Sequence, residues 1–315
     1  MFLLRGVGVA LAVFALLYLV VSLAVSYGWR YAQRLAGGVS AQGAADLLFC
    51  LRMLPLIVAA AVTAVYTVPS FLLLEPIHAD EPMGLPLVAL GAVCLWLLAA
   101  GILRAVSAQR RTSRALAAWL NGARALDSAT AVPVFQTGKD APTLTVAGVY
   151  APQVLISETA LAVLTEQELR TALRHEIAHV QRYDNLKKLL FRFSVLPGMK
   201  RLEAAWSEAA ELAADDAAVS SLPEALDLAA ALIKLSRLAP VQPAAMLTTG
   251  LLHTSVGSLS LRIERLFAWS TRQLPAGYRS WWYAIPALVL TAVCVVSSYG
   301  VVLYHMHEFT ELLVR

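Results

Sequence analysis

Residues 85–114 read LPLVALGAVCLWLLAAGILRAVSAQRRTSR. From Leu85 to Leu103 no side chain is charged, and the run is long enough to cross the hydrocarbon core of a bilayer as a helix. Arg104, Arg110, Arg111 and Arg114 follow at once. An uncharged span with a basic flank marks a transmembrane helix whose trailing end faces the cytoplasm. Three further runs have spanning length: residues 2–27, apolar above all from Leu11 to Tyr27, residues 53–74, and residues 281–304, whose apolar part runs from Trp282 to Tyr304. The first is too long for the apolar region of a signal peptide, and no small-x-small site follows it, so it is expected to be a retained anchor. Composition agrees with a lipid solvent, with 59% hydrophobic and 15% charged residues and a mean hydropathy of +0.66.

Charge predicts orientation. Arg30, Arg34 and Arg52 flank the first connection, whereas the second carries Glu75, Asp80 and Glu81 and no Lys or Arg. Basic connections face inward. Both termini are therefore expected outside and the long segment 105–280 inside. Arg262, Arg265, Arg272 and Arg279 before the fourth span fit this, with Trp281, Trp282 and Tyr283 at the inner interface and a short outer tail at 305–315. His305 and His307 of that tail read as solvated, with no metal partner nearby. The net charge of +4 is explained by these flanks, so nothing calls for nucleic acid as a partner. Cys50, Cys94 and Cys294 lie in or beside apolar runs and read as packing residues.

Segment 105–280 is long enough for one domain with its own core, and it contains His175-Glu176-Ile177-Ala178-His179. Two histidines four apart on a helix share one face, where both imidazoles can hold one Zn²⁺ while the glutamate between them acts on a water. The run from Glu166 to Arg174 is helical in pattern, and Thr165 with Glu168 makes a capping box that starts it. A catalytic zinc needs a third protein ligand. Glu211 is the candidate, on an alanine-rich helix where Asp215 shares its face and can take the N–H of a ligand imidazole; Glu208 is the alternative ligand. Zinc at such a site polarises a carbonyl and acidifies water, and Glu176 is the expected general base. His253, in a Thr/Ser-rich loop, is a candidate donor to the oxyanion, against the competing reading of a solvated histidine.

The rest of the domain reads as an amphipathic helix over Arg111–Ala125, then strands over Val132–Gln136, Thr143–Ala147 and Gln153–Ile156. By position, Gln153, Val154, Leu155 and Ile156 are the candidate edge strand for an extended substrate, the alternative being an ordinary core strand. Leu186–Val195 is a basic, apolar helix up to Pro197-Gly198, a further helix begins near Glu224, and Ser258–Trp269 resumes helical spacing. The expected fold class is an α-helical integral membrane protein with four transmembrane helices and an inserted α+β cytoplasmic zinc metallopeptidase domain, its ligands membrane lipid and a protein substrate.

Residues 148–157 (GVYAPQVLIS), His175–His179 followed by Val180 to Asn185, and Glu211-Leu212-Ala213-Ala214-Asp215 together resemble the BlaR/MecR membrane metallopeptidase family of bacteria. The resemblance covers most of the chain. It implies a gluzincin in the bacterial inner membrane, with zinc on His175, His179 and Glu211, Glu176 as base and Asp215 in support. It further implies signal transduction by antirepressor proteolysis, the substrate being a cytoplasmic transcriptional repressor. The family's sensors carry a penicillin-binding domain after the fourth span, whereas this sequence stops at Arg315, so beta-lactam sensing by its own domain is not implied, and a separate sensor protein is a candidate partner. The stretch after Phe193 is also shorter and more polar than the family's. Two other readings stay open: a quality-control or prenyl-protein peptidase of the HtpX and CAAX-protease type, and a non-enzymatic signalling partner with a structural zinc site.

Overall fold

The computed structural model describes residues 2–35, 39–76, 84–126, 132–138, 141–195, 198–238, 248–249, 256–269 and 298–311. They divide into two compact units, one from Met1–Ala32, Cys50–Ala100 and Ala276–Arg315, the other from Gln33–Phe49 and Gly101–Pro275.

Among the described residues, three helical stretches are long and apolar enough to cross a membrane. These are α1 (Phe2–Leu35), α2 (Ala41–Val62) running through a π-helical turn at Thr63–Thr67 into α3 (Val68–Leu74), and α4 (Leu85–Leu120). In the first unit Val9, Ala12 and Val13 of α1 pack on Phe71 and Leu87. Leu3, Leu73 and Trp96 are among the large apolar side chains left exposed, a surface that lipid rather than water suits. The π turn has a local cause. Pro69 has no N–H to give the carbonyl four residues back, that of Val65. Tyr299, on a helix at 298–311 (α11), supplies the missing donor through its hydroxyl at 3.0 Å. Ser70 Oγ–H likewise donates to the Leu303 carbonyl at 3.0 Å.

The expected fourth span at 281–304 falls mostly outside the described residues. Its last part, 298–304, is helical, and the helix continues to residue 311, through what was expected to be a solvated tail. The expected separate helix over Arg111–Ala125 is corrected as well. α4 runs unbroken to Leu120, because the Arg, Ala and Gln residues beyond Leu103 are good helix formers and no Gly or Pro pair interrupts them. The chain then turns at Gly122 (φ +80°) into a strand at 124–126.

In the second unit a five-stranded sheet contains β1 (Arg124–Leu126), β2 (Val134–Thr137), β3 (Leu144–Ala147), β4 (Gln153–Ser157) and β5 (Thr248–Thr249), in the order β1-β2-β4-β3-β5. β4 lies parallel to β2 and antiparallel to β3. Both its edges are therefore paired, and Val154, Leu155 and Ile156 are wholly buried. The expectation that Gln153–Ile156 is the edge strand that holds a substrate is overturned: its main-chain groups are already used within the sheet.

Helices α5 (Glu158–Val163), α6 (Glu166–Gln181), α7 (Asp184–Phe193), α8 (Lys200–Ala218), α9 (Leu222–Leu238) and α10 (Val256–Phe267) complete the unit. The core joins Val134, Val146 and Ile156 of the sheet to Ala172 of α6, and to Leu228, Leu232 and Leu235 of α9. α6 starts at the expected capping box, with Thr165 Oγ1 accepting from Glu168 N at 3.3 Å and Glu168 Oε2 accepting from Thr165 N at 2.8 Å. Lys234 Nζ of α9 holds that same Glu168 carboxylate at 2.7 Å, which fixes the start of α6 to the core. Burial works against ionisation of Glu168, yet the hydrogen bonds from Lys234 and Thr165 hold its carboxyl below the usual range.

Candidate metal centre

α6 places His175 and His179 one turn apart, both buried, with Glu176 beside them at 0% exposure. α8 packs against α6 and presents Glu211 and Asp215, likewise buried, on its facing side. The alternative ligand Glu208 is one turn earlier on α8 and exposed. His175 Nε2 and His179 Nε2 are 3.2 Å apart, Glu211 Oε2 is 3.5 Å from the first, and Glu211 Oε1 is 3.6 Å from the second. Donors bound at about 2.0–2.1 Å to one tetrahedral ion stand roughly 3.3 Å apart. Among the described residues, His175, His179 and Glu211 are a buried group that can hold a metal ion.

The other nitrogen of each imidazole meets a carboxylate. His175 Nδ1 is 2.9 Å from Asp215 Oδ1, and His179 Nδ1 is 2.7 Å from Asp184 Oδ2. Each carboxylate favours keeping a proton on Nδ1, so Nε2, which faces the shared centre, is the nitrogen that gives up its proton to an ion. Asp184 reaches this place because Tyr183 adopts a left-handed conformation (φ 55°), which turns the chain sharply from the end of α6 into the start of α7. α7 is tied to the sheet in turn, since Asn185 Nδ2–H donates to the Gly148 carbonyl at 2.9 Å. At its far end a Cβ on Gly101 of α4 would collide with the Phe193 carbonyl, so glycine permits this contact.

Arg262, 1% exposed on α10, closes the site from behind. Its Nε–H and Nη2–H donate to Asp215 at 2.8 and 2.7 Å, and Nη1 lies 2.9 Å from Glu211 Oε2. This fork matches bidentate recognition of a carboxylate. Read from sequence as flanks that orient the last span, Arg262 and Arg265 are instead held within the domain, Arg265 on Asp216 at 2.7 Å. His253 and its loop lie outside the described residues.

The electrostatics follow from burial and partners. Burial disfavours the charged form of Glu211, but Arg262 and His179 outweigh it and hold the carboxyl well below its usual range. Asp215 is lowered in the same way, burial again opposing and Arg262 and His175 prevailing. Against the cost of burial, Asp215 and Glu211 push His175 up, while Glu211 and Asp184 push His179 up to about 10. Lys188 of α7, whose Nζ–H donates to the Thr248 carbonyl at 2.8 Å, is lowered by burial despite the pull of Glu211, Asp184 and Glu176.

The metal-free site therefore holds protons that an ion must displace. Zn²⁺ titrated into metal-free protein at pH 8 should expel about one proton from His179, seen as a binding heat that scales with the ionisation enthalpy of the buffer. Binding should strengthen as pH rises toward about 10 and weaken on acidification. His175→Ala, His179→Ala and Glu211→Ala should each lose most of the metal; full retention in Glu211→Ala would place the third donor elsewhere.

No family model matches the chain, and no curated protein matches it.

Proposed function

We propose that this chain is a zinc endopeptidase of the bacterial inner membrane that hydrolyses peptide bonds of a cytoplasmic protein, in regulated proteolysis of a transcriptional repressor. The observation that carries the reading is the convergence of two Nε2 atoms and one carboxylate at 3.2–3.6 Å, with Glu176 of the same helix turn buried beside them. Among the described residues the group has three members, the number found in catalytic zinc sites, which keep the fourth position for water or substrate.

Bound zinc supplies Lewis-acid polarisation of the scissile carbonyl and lowers the pKa of water. Glu176 accepts the proton of the attacking water and delivers it to the leaving amine. Asp215 and Asp184 keep the protons of His175 and His179 on Nδ1. Arg262 holds Glu211 and Asp215 ionised and in place, so that neither carboxylate competes with Glu176 for the proton.

The test uses the full chain in detergent, loaded with Zn²⁺, incubated with cytosolic proteins and followed by mapping of new amino termini. Chelation with 1,10-phenanthroline should abolish the new termini and added Zn²⁺ restore them. Reporter fusions after Gly138 and after Arg315 should report the inner and outer faces respectively. No chelator-sensitive termini would favour a structural metal site, and an outer position for the Gly138 fusion would rule out a cytoplasmic repressor.

A further inference from the structure

A second group of metal-ligating side chains lies within the first unit. Glu75 follows α3 directly, and His307 and Glu311 are four apart on one face of α11. One donor atom from each can be chosen so that all three lie within 4.8 Å of one another. His307 Nδ1 is 3.7 Å from Glu75 Oε2, and His307 Nε2 is 3.6 Å from Glu311 Oε1. Both separations are too long for hydrogen bonds. The two contacts use opposite ring nitrogens, so one ion takes a single nitrogen of His307 together with an oxygen from each glutamate, and such a set of three lies within 4.8 Å.

Burial sets this group apart from a chance surface cluster. The side chains of Glu75 and His307 are 6% and 16% exposed, and only Glu311 opens to solvent at 45%. His307 Nδ1 is buried without a hydrogen-bond partner, a cost that a bound ion removes. Arg5 of α1 takes the other oxygen of Glu75 at 3.0 Å. That contact turns Oε2 toward His307 and offsets one of the two carboxylate charges, so the group tolerates being empty. Nothing in the sequence links His307 to Glu75, more than 200 positions away, so the expectation of a solvated tail residue is corrected.

We propose that Glu75, His307 and Glu311 form a second binding site for a divalent transition metal ion, open on the Glu311 side. One imidazole with two carboxylates suits Zn²⁺ or Ni²⁺, whereas Ca²⁺ and Mg²⁺ prefer oxygen alone. By closing on the site, the ion ties the end of the span Ala41–Leu74 to α11.

The full chain in detergent, stripped of metal and titrated with Zn²⁺ by equilibrium dialysis and metal analysis, should take up two equivalents. His307→Gln and Glu311→Gln should each weaken the second by about tenfold or more, leaving the first unchanged. Glu308→Gln, which removes only the exposed partner of His305, should leave both. A single equivalent in the wild type, or a second one indifferent to both His307→Gln and Glu311→Gln, overturns the proposal. The first centre is scored separately: in Glu211→Ala the uptake that depends on His307 should persist, so failure of either site shows without the other. Glu311→Gln, at the last described turn of α11, keeps the test open should His307→Gln fail to fold.

Discussion

Glu176→Gln should retain zinc and lose proteolysis by several orders of magnitude. The amide keeps the size of the carboxylate and can still hydrogen bond, but it cannot accept the proton of the attacking water or return it to the leaving amine. Because Glu176 is not among the three converging donors, metal content should stay within error of the wild type. The measurement pairs zinc analysis with the rate of appearance of new termini. Unchanged turnover in a zinc-loaded Glu176→Gln protein would remove the peptidase mechanism outright, and loss of zinc would show that Glu176 serves the metal rather than the proton.

Replacing Arg262 with methionine should be among the most destabilising single changes in the domain. Methionine has similar length but leaves Asp215 and Glu211, both at most 4% exposed, without the guanidinium that holds both carboxyls low. Removing one partner of a buried ion pair costs about 3–5 kcal/mol. For a domain of this size that is a fall in melting temperature of roughly 10 °C, followed by tryptophan fluorescence in the presence of chelator. The sign of the pH effect is fixed by the carboxyls. Their pKa values are depressed in the folded wild type, so Arg262 contributes stability above the ordinary carboxylate range, and that stability is lost as pH falls. The gap between wild type and Arg262→Met should accordingly narrow on acidification. Zn²⁺ should restore part of the loss by offsetting the Glu211 charge. Arg265→Met is the control, since its pair with Asp216 is part-exposed, at 19% and 20%, and should cost no more than about 1 kcal/mol. Equal melting temperatures for Arg262→Met and the wild type would show that the guanidinium does not organise the site.

The parts of this site that were legible in the sequence are those governed by local spacing. The four-residue interval of His175 and His179, the same interval between Glu211 and Asp215, and the Thr165 capping box each depend only on helical geometry, and the structure brings both acids to the two imidazoles. Asp184 follows the motif closely in sequence, yet local spacing gives it no role, because it lies beyond a left-handed Tyr183 where helical spacing stops applying. The role of Arg262 is hidden for a different reason. An arginine some twenty residues before an apolar run counts as a topological signal whatever it pairs with, and only the packing of α10 on α8 shows its carboxylate partners. The position of β4 inside the sheet was equally hidden, since strand order rests on pairings distant in sequence and the apolar run Val154–Ile156 fits a central strand as well as a half-covered one.

The Tyr299 hydroxyl that completes the π turn imposes an order on biosynthesis. Val65 leaves the ribosome long before Tyr299, which lies 234 residues later. Throughout that interval the Val65 carbonyl lacks the phenol that meets it in the folded chain. The contacts of Val65 and Ser70 with Tyr299 and Leu303 can therefore form only after the carboxyl-terminal segment has been made, so this pairing is among the last events in building the first unit.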